Sequence, residues 1–470
     1  MRGARIIQWC GGTAAALCRA TTRASPARVA VSSFGLAVLL GALLLTLPVS
    51  SKARVWSHPV DALFTSTSAV CVTGLIVKST PNYWSSFGQL VILGLIQAGG
   101  LGIMTMGAFA AILLQRRLSM RFEAVMSDLV ESERAESVWS LVRFICVFTI
   151  ALEAAGACGL YVAWRGAFPG ARACVYHSVF HSISAFCNAG FSLNDGSLTR
   201  YADWFWVNVV VCGLIVVGGI GFIVVRDLLS YALWHAFKRR GRRPRLSTHT
   251  RLVLMVSAVL LVVGFFGVLI MESGASLAGC SARRRLLASV FQSVTPRTAG
   301  FNTLDIGSLA PATAFLLMAL MYVGGSPGST AGGIKTTTLG VMVASITATL
   351  KGRQKAEMFH HAVPEETVHR VASIILLSLA ALGLGIFALL VTEVHAPFQR
   401  IVFDAISAFG TVGLSRGLTG PDCNVTVWGK VVLTVLMFVG RLGPVTLVLS
   451  VGALTDRAAY QFPEGRVLVG

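Results

Sequence analysis

The sequence predicts an all-α, polytopic membrane protein in which eight spanning helices and four short re-entrant segments form four similar repeats. Three observations carry that expectation. Of 470 residues, 55% are hydrophobic and only 13% are charged, where a soluble domain carries about 25% charge. Mean hydropathy is +0.74. A semi-polar stretch recurs four times, always between two apolar runs.

The apolar runs cover residues 29–50, 86–115, 138–164, 205–237, 252–271, 311–350, 371–392 and 427–455. A hydrocarbon core of about 30 Å takes roughly 20 helical residues, so each run is long enough to span. The stretches between the members of each pair are too short to cross and too apolar for ordinary loops. They fit segments that enter the membrane and return, where irregular backbone is tolerated only against protein or a cavity. Basic loops follow the second, fourth and sixth runs: "QRRLSMR", "KRRGRRPR" and "KGRQK". With the basic N-terminus they place both termini in the cytoplasm. "ARRR" (Ala282 to Arg285) falls on the other side, against that bias. The resulting division is a basic arm at 1–28, repeats at 29–120, 121–250, 251–358 and 359–458, and a tail at 459–470.

The net charge of +19 belongs with this topology. Seven positive charges lie in "KRRGRRPRLSTHTR" (Lys238 to Arg251), between two apolar runs. They read as a cytoplasmic face toward anionic lipid, and nucleic acid is not expected. The ten Cys show no CxxC pair and no His/Cys metal spacing, so neither a disulfide framework nor a zinc site is expected.

The repeat organises the rest. The semi-polar stretches are "FTSTSAVCVTGL" (Phe64 to Leu75), "FHSISAFCNAGF" (Phe180 to Phe191), "FQSVTPRTAGF" (Phe291 to Phe301) and "FDAISAFGTVGL" (Phe403 to Leu414). Each ends in Gly followed by Leu or Phe, at Gly74, Gly190, Gly300 and Gly413, with separations of 116, 110 and 113 residues. Three copies carry Ser-Ala-Val/Phe from Ser68, Ser184 and Ser407. The third copy lacks that triplet and is one residue shorter. Four copies mean one unit, helix–pore loop–helix, repeated around one central pore. A second recurrence follows 25, 28, 24 and 27 residues later: "AGGLG", "VGGIG", "VGGSPG" and "VGRLG". One such Gly pair is ordinary helix packing. Four in register predict a ring of small residues at one membrane depth, with Arg441 standing where the other copies have Gly.

The third copy expands into "VGGSPGSTAGGIKTTT" (Val323 to Thr338). Its Gly and Lys imitate a phosphate loop, but Ile334 separates Gly333 from Lys335 and breaks the required spacing. With no charge from Ile306 to Ile334, the stretch reads as a broken helix inside the membrane. We read residues 324–336 as a gating loop, with Gly324, Gly325, Ser326, Gly328, Ser329, Thr330, Gly332, Gly333 and Lys335 as its working residues.

Four loops about one axis can present rings of backbone carbonyls that replace an ion's hydration shell. The expected ring residues are Val72, Thr73 and Gly74; Asn188, Ala189 and Gly190; Thr298, Ala299 and Gly300; and Thr411, Val412 and Gly413. None is charged, which favours a monovalent cation over a divalent one. Arg441 at membrane depth is a functional candidate, an electrostatic barrier to cations below the ring. Glu153, in "FICVFTIALEAAGACGLYVAW", reads as a hydrogen-bonded packing residue more readily than as an ion ligand. His177 and His181 lack a third ligand and read as residues of the second short helix. A multipass enzyme would need an intramembrane cluster of His, Asp, Glu or Cys, and the sequence offers none.

These motifs resemble the Trk/Ktr/HKT superfamily of potassium transporters, most closely the bacterial Ktr-type membrane subunit. "SAVCVTGL", "SAFCNAGFSL", "TPRTAGFNTLD" and "SAFGTVGLSRGLT" look like its four filters, "GGSPGSTAGGIKTTT" like its intramembrane loop, and "VGRLGPVTL" like its fourth inner helix. The resemblance covers the chain from about Ala30 to Gly470. It implies potassium at the filter residues, with sodium as the alternative coupling or permeating ion, and no cofactor on this chain. It implies a barrier role for Arg441 and a homodimer in the bacterial cytoplasmic membrane. It implies a cytoplasmic RCK-type regulatory ring that binds the nucleotide (ATP/ADP or NAD), with the tail "FPEGRVLVG" at the dimer interface. Gly74 argues for potassium, because in the plant branch a Ser there accompanies sodium transport. The basic N-terminal arm lies outside the family pattern.

Overall fold

The computed structural model describes residues 26–102, 138–236, 245–421, 423 and 425–451. The N-terminal arm up to residue 25, the "QRRLSMR" loop, nearly all of "KRRGRRPR" and the 459–470 tail lie outside the described residues.

Among the described residues the regular structure is helical, apart from a two-stranded hairpin, β1 (Glu357–Met358) with β2 (His361–Ala362). The first repeat is α1 (Pro26–Thr46), α2 (Pro59–Val70) and α3 (Ser86–Gly100). The second is α4 (Val138–Ala163), α5 (Ala171–Phe186), α6 (Phe205–Ile220) and α7 (Phe222–Ala236). The third is α8 (Thr248–Glu272), α9 (Ala282–Val294), α10 (Pro311–Tyr322) and α11 (Thr336–Leu350). The fourth is α12 (Glu365–Thr392), α13 (Phe398–Gly410), α14 (Val427–Leu442) and α15 (Pro444–Val451).

Local chemistry sets these boundaries. Pro48 disfavours helix at the residue before it, and α1 stops at Thr46. The Ser85, Ser247, Ser281 and Thr426 hydroxyls accept from the first free N–H groups of α3, α8, α9 and α14, filling donors that a helix start leaves open. Pro59 and Pro311 occupy first-turn positions, where a missing N–H costs nothing. Glu365 and Glu366 sit in the first turn of α12, on the positive end of the helix dipole.

Among the described residues, α1, α4, α8 and α12 are long and apolar enough to cross a membrane, and α6 with α7 makes a fifth if counted as one element bent by 105°. Three inner runs are interrupted, the third where the sequence predicts a broken helix and the second and fourth where it presents a continuous run. The second bends at Gly221, the third opens between α10 and α11, and the fourth breaks at Gly443 before Pro444.

The repeats interlock cyclically. Each long outer helix lies on its own short helix: α1 on α2, α4 on α5, α8 on α9, α12 on α13. Each inner helix also reaches the next repeat's short helix: α3 to α5, α6 to α9, α10 to α13, and α14 back to α2. The last contact closes the ring, and Lys430 Nζ on α14 lies 2.7 Å from the buried Asp61 carboxylate on α2.

A candidate filter and the plug beneath it

The four short helices end just before the four repeated glycines. There the backbone repeats the same unusual pattern. Val72, Asn188, Thr298 and Thr411 have φ of 57, 60, 72 and 50°. Two residues on, Gly74, Gly190, Gly300 and Gly413 have φ of 88, 69, 74 and 92°. Side chains disfavour this region, so Val and Thr in it are strained. One residue of ordinary, negative φ lies between. Alternating the sign of φ lets successive carbonyls face one side.

The glycines meet around an axis. A Cβ on Gly74 would strike the Ala189 carbonyl oxygen, on Gly190 that of Ala299, on Gly300 that of Val412, and on Gly413 that of Thr73. Each repeat thus touches the next, and the fourth touches the first. Only Gly combines this φ with so close an approach.

Behind the ring, one hydroxyl residue per repeat holds the loop, a serine in three of them. Ser68 Oγ donates to Leu75 O at 2.7 Å and accepts from Gly74 N at 3.0 Å. Ser184 Oγ donates to Phe191 O at 2.7 Å, and Ser407 Oγ accepts from Gly413 N at 3.1 Å. In the third repeat, Thr295 takes over. Its hydroxyl donates to Phe301 O at 2.5 Å, and its carbonyl accepts from Ala299 N at 3.0 Å. The missing triplet is therefore replaced, one residue nearer its glycine. The buried hydroxyls of Thr73, Thr298 and Thr411 have no protein partner.

The stretch from Gly324 to Thr336 fills the space below the ring. Its ends zip together: Gly324 N donates to Ile334 O at 2.9 Å and Thr336 N to Gly325 O at 3.0 Å. The Ser326 and Thr336 hydroxyls are 3.0 Å apart, and Ser329 Oγ donates to Ser326 O at 2.7 Å. The loop then docks on the break in the second repeat. Ser326 N donates to Gly219 O at 3.0 Å, Thr330 N to Gly218 O at 3.2 Å, and Phe222 N to Gly328 O at 3.0 Å.

Three ring loops touch this plug. The Asn188 amide pairs with the Thr330 hydroxyl at 3.1 Å. Gly324 lies against the Thr298 methyl, Gly332 against the Thr411 side chain, and Gly333 against Gly410. Arg441 comes from the fourth repeat. One guanidinium nitrogen donates to Thr330 O, and the other donates to Gly99 O at 2.6 Å. It ties the plug to the first repeat across the axis. Lys335 serves the loop itself, its Nζ donating to Ala331 O at 2.8 Å.

The repeated inner-helix glycines work differently from a plain ring of small residues. Gly99, Gly218 and Gly440 each face a carbonyl in the last turn of their own short helix, at Val70, Phe186 and Phe409. They let backbone approach backbone. Gly102, Gly221 and Gly443, three residues on, have φ of 77, 100 and 83°.

Other contributors carry little sequence signal. Asp404 is buried in α13 and accepts from Ser415 Oγ (2.7 Å), Arg416 N (2.9 Å), Thr419 N (2.9 Å) and Thr419 Oγ1 (2.8 Å). It pins the segment after the fourth ring loop. His181 holds the matching place in the second repeat, with Ser192 Oγ 3.0 Å away. Both follow the Phe that opens their stretch, the one hint available from sequence. Glu153 accepts from Gln97 Nε2 at 3.1 Å, which agrees with a hydrogen-bonded packing role.

The family model for TrkH, described as a cation transport protein, matches residues 13–460. The chain is 38% identical over 458 residues to the potassium/sodium uptake protein NtpJ of Enterococcus hirae, covering 96% of this chain and 99% of that one. It is 38% identical over 451 residues to the Ktr system potassium uptake protein B of Bacillus subtilis, covering 95% and 97%. The crystal structure of the potassium transporter TrkH from Vibrio parahaemolyticus shares the fold, with a TM-score of 0.66 and 20% identity over 90% of this chain and 85% of that one. Apolar helices and these likenesses define a multi-pass membrane protein of cation transport. The chain belongs to the TrkH family.

Proposed function

We propose that this protein is a potassium-selective, channel-like uptake system of the bacterial cytoplasmic membrane. The observation that carries it is the closed ring of four glycines with matched backbone on every side. Such a ring offers carbonyls at fixed spacing in place of water, and no charged side chain is needed. The three unpartnered threonine hydroxyls near the ring are further polar groups that an arriving cation satisfies. Val72, Thr73, Gly74 and their counterparts in the other three repeats hold the ion. Residues 324–336 form the gate, and Arg441 is a cationic barrier below the filter.

Eight spans with both termini in the cytoplasm, four re-entrant helices, and a homodimer on a nucleotide-binding ring complete the proposal. The Ktr-type motifs and the strong likeness to a Ktr system protein support it. In this reading the nucleotide belongs to the ring, and the Gly-rich loop handles the ion path.

Flux into proteoliposomes holding the purified protein tests the reading, with potassium, rubidium and sodium compared for wild type and Arg441→Ala. Potassium and rubidium exceed sodium, and flux rises in the variant. Flux without ion preference would remove the filter assignment. Selective flux unchanged by the substitution would leave Arg441 a structural role. A second reading, sodium-coupled or sodium-permeable transport, is favoured by the likeness to the potassium/sodium uptake protein of Enterococcus hirae. Gly74→Ser separates the two readings: a sodium-excluding filter gains sodium flux in this variant, and a filter that already passes sodium changes little.

A further inference from the structure

The third filter loop reaches the ring by its own path. In the other three, Val72, Asn188 and Thr411 each donate N–H to a carbonyl three residues back, at 3.1 Å. In the third, Arg297 makes that bond, to Val294 O at 3.2 Å, one residue earlier relative to its glycine. Gly74 N and Gly413 N reach a serine hydroxyl at 3.0 and 3.1 Å, whereas Gly300 N reaches only Thr295 O, at 3.5 Å. Yet Thr298 holds φ of 72°, the largest of the four non-glycine values in the ring loops, a conformation that persists only when its surroundings enforce it.

Arg297 is placed to enforce it. Just before the strained residue the other loops carry Cys71, Cys187 and Gly410, and the third carries this long cation. Its guanidinium reaches α8, the outer helix of its own repeat. One terminal nitrogen donates to Ser257 Oγ at 3.1 Å and the other to Ser257 O at 3.4 Å. Ser257 is buried, inside a helix fit to cross the membrane. Among the described residues Arg297 makes no ion pair, and its Nε has no partner. A cation at membrane depth without a carboxylate is costly and is a functional candidate by default. A cavity of about 20 Å³ lies beside it, lined otherwise by Gly219, Gly325 and apolar side chains. Those two glycines stand where the fourth repeat has Arg441, and they leave the guanidinium room.

We infer that Arg297 positions the third corner of the filter by bracing it on Ser257 of α8, and that this brace helps to set ion preference. The inference rests on the filter reading of the ring. Arg297 is a positioning residue and does not touch the ion. It acts through the backbone that follows it, Thr298 and Ala299. A Cβ on Gly190 would meet the Ala299 carbonyl, so a shift of the third corner passes directly to the second.

The test is a double-mutant cycle read as the potassium-to-sodium flux ratio in proteoliposomes, with melting temperature as the control for folding. Arg297→Gln lowers the ratio roughly tenfold, the scale of one hydrogen bond to a charged group. Ser257→Ala lowers it about threefold, because the Ser257 carbonyl still accepts. Ser257→Ala added to Arg297→Gln has little further effect. Arg297→Lys, which keeps a cationic donor for the Ser257 hydroxyl, recovers most of the ratio. Ser257→Ala leaves the charge in place and carries the test if Arg297→Gln does not fold. A lower melting temperature with the ratio intact would make the brace merely structural and overturn the inference. So would a silent Ser257→Ala beside a strong Arg297→Gln, since the charge and not the bond would then matter. A wild type without ion preference would remove the filter reading first. A selective wild type whose folded variants all stay selective would remove the inference alone.

Discussion

The ring and the plug lie one above the other and follow opposite rules. In the ring, four unlike sequences reach one backbone conformation, and every repeat gives the same parts. In the plug, each repeat supplies something different: a loop from the third, an arginine from the fourth, a bare carbonyl from the first, and carbonyls with the Asn188 amide from the second. In the proposed reading, an ion at the ring needs like distances on all sides, so unlike sequences converge on one backbone conformation. A closure needs one movable piece, and symmetry would only multiply the parts to move.

Substitutions in each layer break or sharpen that contrast. Gly413→Ala has the largest expected effect. A methyl at φ 92° would meet the Thr73 carbonyl, and strain of about 1–3 kcal/mol at one corner disturbs all four. Potassium flux falls roughly tenfold to a hundredfold, and Gly74→Ala, Gly190→Ala and Gly300→Ala behave alike. A tolerated alanine at any one corner would show that the ring is not equivalent on four sides. Arg441→Ala comes next, with basal flux rising about tenfold, the scale of one charge-assisted hydrogen bond. Unlike the glycines, it has no equivalent elsewhere: at the matched positions the other repeats carry Gly100, Gly219 and Gly325.

Gly332→Ala pushes a methyl into the Thr411 hydroxyl and loosens the plug. Basal flux rises a few-fold, about 1 kcal/mol of lost seating, while the potassium-to-sodium ratio holds. A shifted ratio would mean that plug and ring are one unit. Smallest is Thr295→Val, which deletes one loop tether. It costs about 1 kcal/mol of stability, read as a lower melting temperature, and Thr295→Ser restores it.

The sequence made the ring legible and left the plug's attachments hidden, and the reason is physical. Ring positions need glycine, so Gly74, Gly190, Gly300 and Gly413 stand out at nearly even spacing. Thr295 escaped because the third loop is one residue short, and a hydroxyl at a shifted place leaves no pattern. Arg441 was visible as a charge in an apolar run, but its partners are carbonyls of Thr330 and Gly99, which every residue possesses. Gly221 and Gly443 read as members of a ring of small residues, and the breaks they make were not foreseen, since a break and a close contact write the same letter. Asp404 and His181 hold equivalent loops with different chemistry, so no shared residue announced them.

The contact of α14 with α2, sealed by Lys430 and Asp61, bears on the order of synthesis. The wall of the first filter loop comes from the last repeat to leave the ribosome. Until α14 inserts, three repeats stand as an open horseshoe, and the α2 carboxylate keeps only the longer contact to Lys78 of its own repeat, at 3.8 Å. Assembly quality control then has a single checkpoint, the docking of the chain's final quarter onto its first. A nascent chain halted before residue 430 carries three complete sides of the glycine ring and lacks the helix that closes it.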